Sequence, residues 1–137
     1  MRLEKGYRAW GSDIGPEANP YQAGLGFCVK LDKGEFIGGQ ALLKARDKPA
    51  ATRLACLVLD DAHSVALGSE PVRIAGAMGR VTSGGFGYSV GKSIAYAYVP
   101  ASAAPGTPVE VEIFGTWVPG KVAEEPLYDP KGEKIRA

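Results

Sequence analysis

Arg2, Glu4, Tyr7 and Trp10 all fall within the first ten residues of the chain. Together they offer a guanidinium fork, a carboxylate and two flat aromatic faces. A guanidinium meets a carboxylate in a planar two-point geometry, and aromatic rings stack on other rings. The set therefore suits a planar heterocycle that carries an acidic tail. An ordinary amphipathic surface segment uses the same residue types, and their spacing alone does not separate the two readings.

Other groups that could do chemistry are sparse. "SGGFGYSVG" (83–91) begins a glycine pattern at Gly85 and Gly87, but Val90 stands where a dinucleotide cradle needs its third glycine. The "KSIAYAYVP" that follows alternates like a strand, whereas such a cradle needs a helix whose N–H groups meet the pyrophosphate. The stretch reads as a turn joining two strands. His63 is the sole histidine and sits in "DDAHSVALG", next to Asp60, Asp61 and Ser64. A catalytic triad needs convergence in space, which sequence adjacency does not supply, so His63 reads as a solvated loop residue. Glu110 and Glu112 share one face of an alternating segment and read as outward charges. Cys28 and Cys56 lie in apolar stretches without CxxC spacing and read as small buried hydrophobes. With one histidine, no Cys/His metal site can be assembled. No catalytic residue and no metal ligand is assigned.

The elements that must position the N-terminal cluster are mostly β. The chain has 137 residues, one ordinary domain's worth, and its 45% hydrophobic content supports a core. Sixteen basic and fifteen acidic residues leave a net charge of +1, with no basic run, so nucleic acid is not an expected partner. No apolar run approaches the ~20 residues that span a bilayer, and no signal-peptide pattern opens the chain. The expectation is a soluble protein with no membrane partner, cytoplasmic, or in the mitochondrial matrix if the source is eukaryotic. Nineteen glycines and ten prolines favour short strands and tight turns.

Asn19-Pro20 predicts a single helical turn. "GFCVKL" (26–31) alternates and predicts a strand. "FIGGQALLKARD" places Ile37, Ala41, Leu42 and Ala45 on one helical face and predicts a helix. After a linker at 48–52, strands are predicted at 52–60, 71–76, 77–87, 92–100, 107–115 and 116–126. The first of these is apolar on both faces and reads as central. The tail, 128–137, reads as a loop or a loosely docked end. Six short strands with Gly/Pro turns predict a small mainly β barrel or jelly-roll at 50–137, preceded by a helix-containing remnant at 1–49.

"RLEKGYRAWGSDIGPEANPYQAGLGFCVKLDKGEFIGGQAL" resembles the R-x-E-x-G…G-x-D-[IL]…F-[IV]-G segment of the aminomethyltransferase (glycine cleavage T-protein) family. "GRVTSGGFGYSVGKSIAYAYVP" resembles the motif of that family's C-terminal barrel, and "PGTPVEVEIFGTWVPGKVAEEPLYDP" is similar to its closing hairpin and tail. "GYRAWGSDI" and "EEPLYDPKGEKIRA" look most like the T-protein-like region of FAD-dependent sarcosine and dimethylglycine dehydrogenases. The resemblance implies that a flavin region oxidises an N-methyl amine and a folate-binding region passes the one-carbon unit to tetrahydrofolate. It also implies that the FAD region and most pterin contacts lie upstream of this chain, whose partners are then those upstream domains. Arg2 matches the motif arginine, a ligand-binding residue near the folate in the family. With Tyr7 and Trp10 it forms the expected folate-binding set, while Glu4 and Gly6 are expected to shape the turn. Ala104 stands before Pro105-Gly106, where the stand-alone T-protein has a second arginine. The other readings left open are a T-protein-like enzyme without a flavin region and a free-standing barrel that binds a ligand or protein.

Overall fold

The computed structural model describes residues 1–136. Six antiparallel strands, β1 (Thr52–Leu59), β2 (Pro71–Ile74), β3 (Ala77–Gly87), β4 (Lys92–Pro100), β5 (Pro108–Ile113) and β6 (Thr116–Ala123), follow one helix, α1 (Gly39–Asp47). The strands close into a barrel in the order β1-β4-β3-β2-β5-β6. Closure selects the barrel over the jelly-roll, and the six predicted strands each match an observed one.

Period-two alternation explains the interior. Ala55, Leu57 and Leu59 of β1 point inward with Val72, Val81, Ala95, Ala97, Val99, Val111 and Val122. The opposite face of β1 is apolar too, because it is also covered. Leu54 and Cys56 join Ile94 and Tyr96 in a second cluster outside the barrel, against Leu3, Val90, Tyr98, Ala123 and Leu127. Fully burying a side chain the size of Leu54 stabilises the fold by about 2 kcal/mol, so the N-terminal segment docks on the wall for an ordinary apolar reason. That docking fixes residues 1–14 in place.

Two expectations for 26–31 fail together. Gly26–Cys28 form a 3-10 turn, and Val29–Leu31 are irregular. An alternating segment becomes a strand only if a sheet edge is available to pair with, and a closed barrel presents none. Phe27 is consequently exposed, and so is Cys28, which was expected to be buried. The helix forms at Gly39–Asp47 but leaves out Ile37, which was expected on its apolar face and is fully exposed, and none of its residues is buried. At the predicted helical turn, the Asn19 side-chain oxygen accepts from the N–H groups of Tyr21 and Gln22, both at 3.0 Å. The tail is docked rather than loose at its start, since the Tyr128 N–H donates to the Glu4 carbonyl at 3.0 Å. Its last residue, Ala137, lies outside the described residues.

Candidate functional site

Asp13 is the centre of the N-terminal segment. Its side chain is 1% exposed and accepts four hydrogen bonds. On Oδ2 it receives Arg2 Nη1 at 2.8 Å and the Ala9 N–H at 2.9 Å. On Oδ1 it receives the Thr82 hydroxyl at 2.7 Å and the Ser83 hydroxyl at 2.5 Å. Adjacent residues of a regular strand point to opposite faces, so Thr82 and Ser83 should not share a target. A bulge brings them together: Val81 pairs with Ala97 and Ser83 with Tyr96, so two steps along β3 match one along β4. Burial pushes the Asp13 carboxyl pKa up. The Ser83 and Thr82 hydroxyls, the Ala9 N–H and the Arg2 guanidinium outweigh that and hold it below the ordinary aspartate range. Tyr98 completes the anchor by donating to the Asp13 carbonyl at 2.9 Å.

The remaining charges of the segment serve as further clasps. Glu4 is buried and accepts from the Ser89 N–H at 2.5 Å and the Val90 N–H at 3.3 Å, so it organises the β3–β4 turn. Gly6, at φ +70°, turns the chain where L side chains are strained, as its place in the motif led one to expect. Lys5 is buried and donates to the Asp129 carbonyl at 2.6 Å. Arg8 is committed on every nitrogen. Nε donates to the Ala23 carbonyl at 3.0 Å, Nη1 to the Gly6 carbonyl and to Glu125 Oε2 at 3.2 Å, and Nη2 to Glu125 Oε1 at 2.6 Å. Its guanidinium also lies over the Tyr96 ring, 5.6 Å from the centroid.

Arg2, Tyr7 and Trp10 thus share one loop with unlike surroundings. Arg2 Nη1 also donates to the Tyr7 carbonyl at 3.0 Å, and its side chain remains 39% exposed. Tyr7 lines a cleft of about 520 Å³ with Arg8, Ile14, Leu25, Phe27 and Glu125. Trp10 is 75% exposed, and neither it nor Arg2 lines that cleft. Sequence reasoning missed Asp13 and the Arg8–Glu125 pair. The available signals were the aspartate of the G-x-D-[IL] motif and the adjacent hydroxyls of Thr82 and Ser83 beside the buried Val81, because buried polar groups need polar partners.

Elsewhere the bland readings hold. Residues 83–87 extend β3, and a turn leads directly into β4, so no helix follows the glycines. His63 is fully exposed beside Asp61, whose carboxylate accepts the Ser64 hydroxyl at 2.6 Å. Glu110 faces out and pairs with Arg73 at 2.6 Å.

Residues 52–129 match the family model described as the glycine cleavage T-protein C-terminal barrel domain. Over 99% of its length the chain is 40% identical to the 4-methylaminobutanoate oxidase (formaldehyde-forming) of Paenarthrobacter nicotinovorans. Over 93% it is 42% identical to the mitochondrial dimethylglycine dehydrogenase of Rattus norvegicus. It spans only 17% and 15% of those two proteins. The crystal structure of the glycine cleavage system aminomethyltransferase T from Bartonella henselae superposes with a TM-score of 0.83 at 31% identity, covering 94% of this chain and 37% of that one. The match spans more than half of the chain, and the closed barrel agrees with it: the chain belongs to the glycine cleavage T-protein C-terminal barrel family.

Proposed function

We propose that this chain is the C-terminal region of a longer, flavin-dependent enzyme that oxidatively demethylates an N-methyl amine such as sarcosine or dimethylglycine and delivers the one-carbon unit to tetrahydrofolate. The observation that carries the reading is the pattern of coverage. Nearly the whole chain aligns with two enzymes of methylamine oxidation, and it accounts for about a sixth of each. In this reading residues 1–49 end a folate-binding domain, and residues 50–137 are the barrel that closes one side of its cavity.

The residues present fit folate and not flavin. The glycine-rich stretch is a strand and a hairpin turn and not a dinucleotide cradle, which supports the reading that FAD sits in an upstream region. Toward folate, Arg2 keeps a partly exposed guanidinium, and Tyr7 and Trp10 present aromatic faces from the same loop. Bound tetrahydrofolate supplies the nitrogen nucleophile that takes up the one-carbon unit. Arg2 would hold the acidic tail by paired hydrogen bonds, and Tyr7 and Trp10 would offer exposed aromatic surface to its rings. The barrel keeps water from the reactive carbon by covering the cavity. On this reading the 137-residue chain alone is inactive, because the flavin region and most of the pterin contacts belong to the upstream part of the enzyme. Compartment follows the parent: cytoplasmic in a bacterium, the mitochondrial matrix in a eukaryote.

A second reading rests on the aminomethyltransferases. That of Symbiobacterium thermophilum is 40% identical and more than twice as fully covered, at 35%. The sequence of the source DNA upstream of the Met1 codon separates the two. An open frame with a strand–GxGxxG–helix flavin signature ahead of a folate-binding region supports the dehydrogenase. A frame holding only the folate-binding region supports the aminomethyltransferase, and an immediate stop codon contradicts both.

A further inference from the structure

We propose that Asp13 is a positioning residue for folate, the group through which the barrel aims Arg2 at a carboxylate of the ligand's tail. The inference rests on the folate-binding reading of Arg2 given above and goes beyond it by naming what makes that arginine competent.

Three side-chain cations occur among residues 1–10, namely Arg2, Lys5 and Arg8. Lys5 is buried against Asp129, and Arg8 is engaged on Nε, Nη1 and Nη2. Arg2 is the one of the three whose side chain stays substantially exposed, 39% against 6% for Lys5 and 10% for Arg8. Its Nη1 has two protons, and two acceptors take them: the Tyr7 carbonyl at 3.0 Å and Asp13 Oδ2 at 2.8 Å. Nε and Nη2 make no hydrogen bond to any described residue. Those two nitrogens form the side-on edge of the guanidinium, the edge that binds a carboxylate by two parallel hydrogen bonds. With Nη1 pinned at two points, the plane of the group is set before ligand arrives, so less rotamer entropy is lost on binding.

Asp13 can orient Arg2 because it is itself immobile. The bulge in β3 aims two hydroxyls at Oδ1, the Ala9 N–H shares Oδ2 with the guanidinium, and the side chain is 1% exposed. The chain of contacts therefore runs from a barrel strand through a buried carboxylate to one half-exposed cation. In this arrangement the barrel is more than a cover. It sets the direction of the anion clamp.

The test is a cycle of variants in the full-length enzyme, reading tetrahydrofolate dissociation and the KM for folate against the rate of amine oxidation without folate. Arg2→Ala is expected to weaken folate by about 10-fold or more, the loss of a charge-assisted bidentate contact. Asp13→Asn should weaken folate by a similar factor and add nothing in the Arg2→Ala background. Ser83→Ala, which removes one bond to Oδ1 and leaves Oδ2 intact, should show the same pattern at about 3-fold. It keeps the test alive if Asp13→Asn does not fold. If Arg2→Ala weakens folate while Asp13→Asn and Ser83→Ala do not, the positioning role is overturned and the folate reading of Arg2 stands. Losses from Asp13→Asn that persist undiminished in the Arg2→Ala background also overturn it, because Asp13 would then act through the fold. If Arg2→Ala leaves folate binding unchanged, the underlying reading of Arg2 fails and the inference goes with it.

Discussion

Arg8 and Glu125 are 117 residues apart in sequence and meet in a two-point ion pair, Nη1 to Oε2 at 3.2 Å and Nη2 to Oε1 at 2.6 Å. Arg8 belongs to the N-terminal loop and Glu125 to the segment after β6, so the pair ties both ends of the described chain across the outer wall of the barrel. Tyr96 of β4 lies beneath the guanidinium. The two side chains are 10% and 24% exposed, so each would be left largely buried and unpaired if the other were removed.

Arg8→Ala and Glu125→Ala are each expected to lower stability by about 2 kcal/mol, less than a fully buried pair because Glu125 keeps some water. Urea unfolding of both single variants and the double variant measures this. The double variant should lose clearly less than the sum of the singles. A strictly additive result would mean that the two groups do not depend on each other.

Acid should weaken the protein partly through Asp13. Its folded-state pKa lies below the ordinary value of 3.8, so its stabilising contribution is present above that value. The contribution is lost as pH falls through the lower folded value, when the carboxyl is protonated. Comparing urea midpoints at neutral pH and near pH 3 should show a smaller acid-induced loss in Asp13→Asn than in the parent. An equal loss in both would place the acid sensitivity elsewhere.

Two neighbouring glycines should respond differently to alanine. A methyl group on Gly84 would run into the Ala66 carbonyl, which is backbone and cannot move alone. One on Gly85 meets the end of the Leu3 side chain at 3.0 Å, which can swing aside. Gly84→Ala should cost about 2 kcal/mol or more and Gly85→Ala about 1 or less. Thermal melting of the two variants decides it, and equal shifts would contradict the packing described.

The two cysteines should separate by reactivity. Burial, first of all, pushes the Cys56 thiol up to about 12, while Cys28 is exposed. A thiol reagent at pH 8 should label one site quickly in the folded protein and the second only with unfolding. Rapid labelling of folded Cys28→Ser would show that the second cluster opens readily.

How much of this could be read from the sequence depended on the range of the interaction involved. Alternation in "TPVEVEIFG" and "KSIAYAYVP" placed β5 and β4, because which side of a strand is buried is a local, period-two matter. The same alternation in "GFCVKL" misled, since a strand also needs an edge to pair with, and only the closed topology reveals that none is left. The site was legible in residue type and not in partner. Asp13 lies in the quoted G-x-D-[IL] motif, but nothing local to it tells that its carboxylate is held by Thr82 and Ser83 of a distant strand and meets Arg2. The bulge that turns Thr82 and Ser83 to the same oxygen breaks the very periodicity on which strand reading depends.

The most direct measurement is made on the full-length protein with an N-methyl amine, following amine oxidised, methylene-tetrahydrofolate and free formaldehyde, with and without tetrahydrofolate. The expected result is close to one methylene-tetrahydrofolate per amine oxidised when folate is present and formaldehyde when it is absent. With Arg2→Ala, product should shift toward formaldehyde at an unchanged oxidation rate. Amine oxidation that yields formaldehyde in the same proportion whether or not folate is present would contradict a folate site built by this chain.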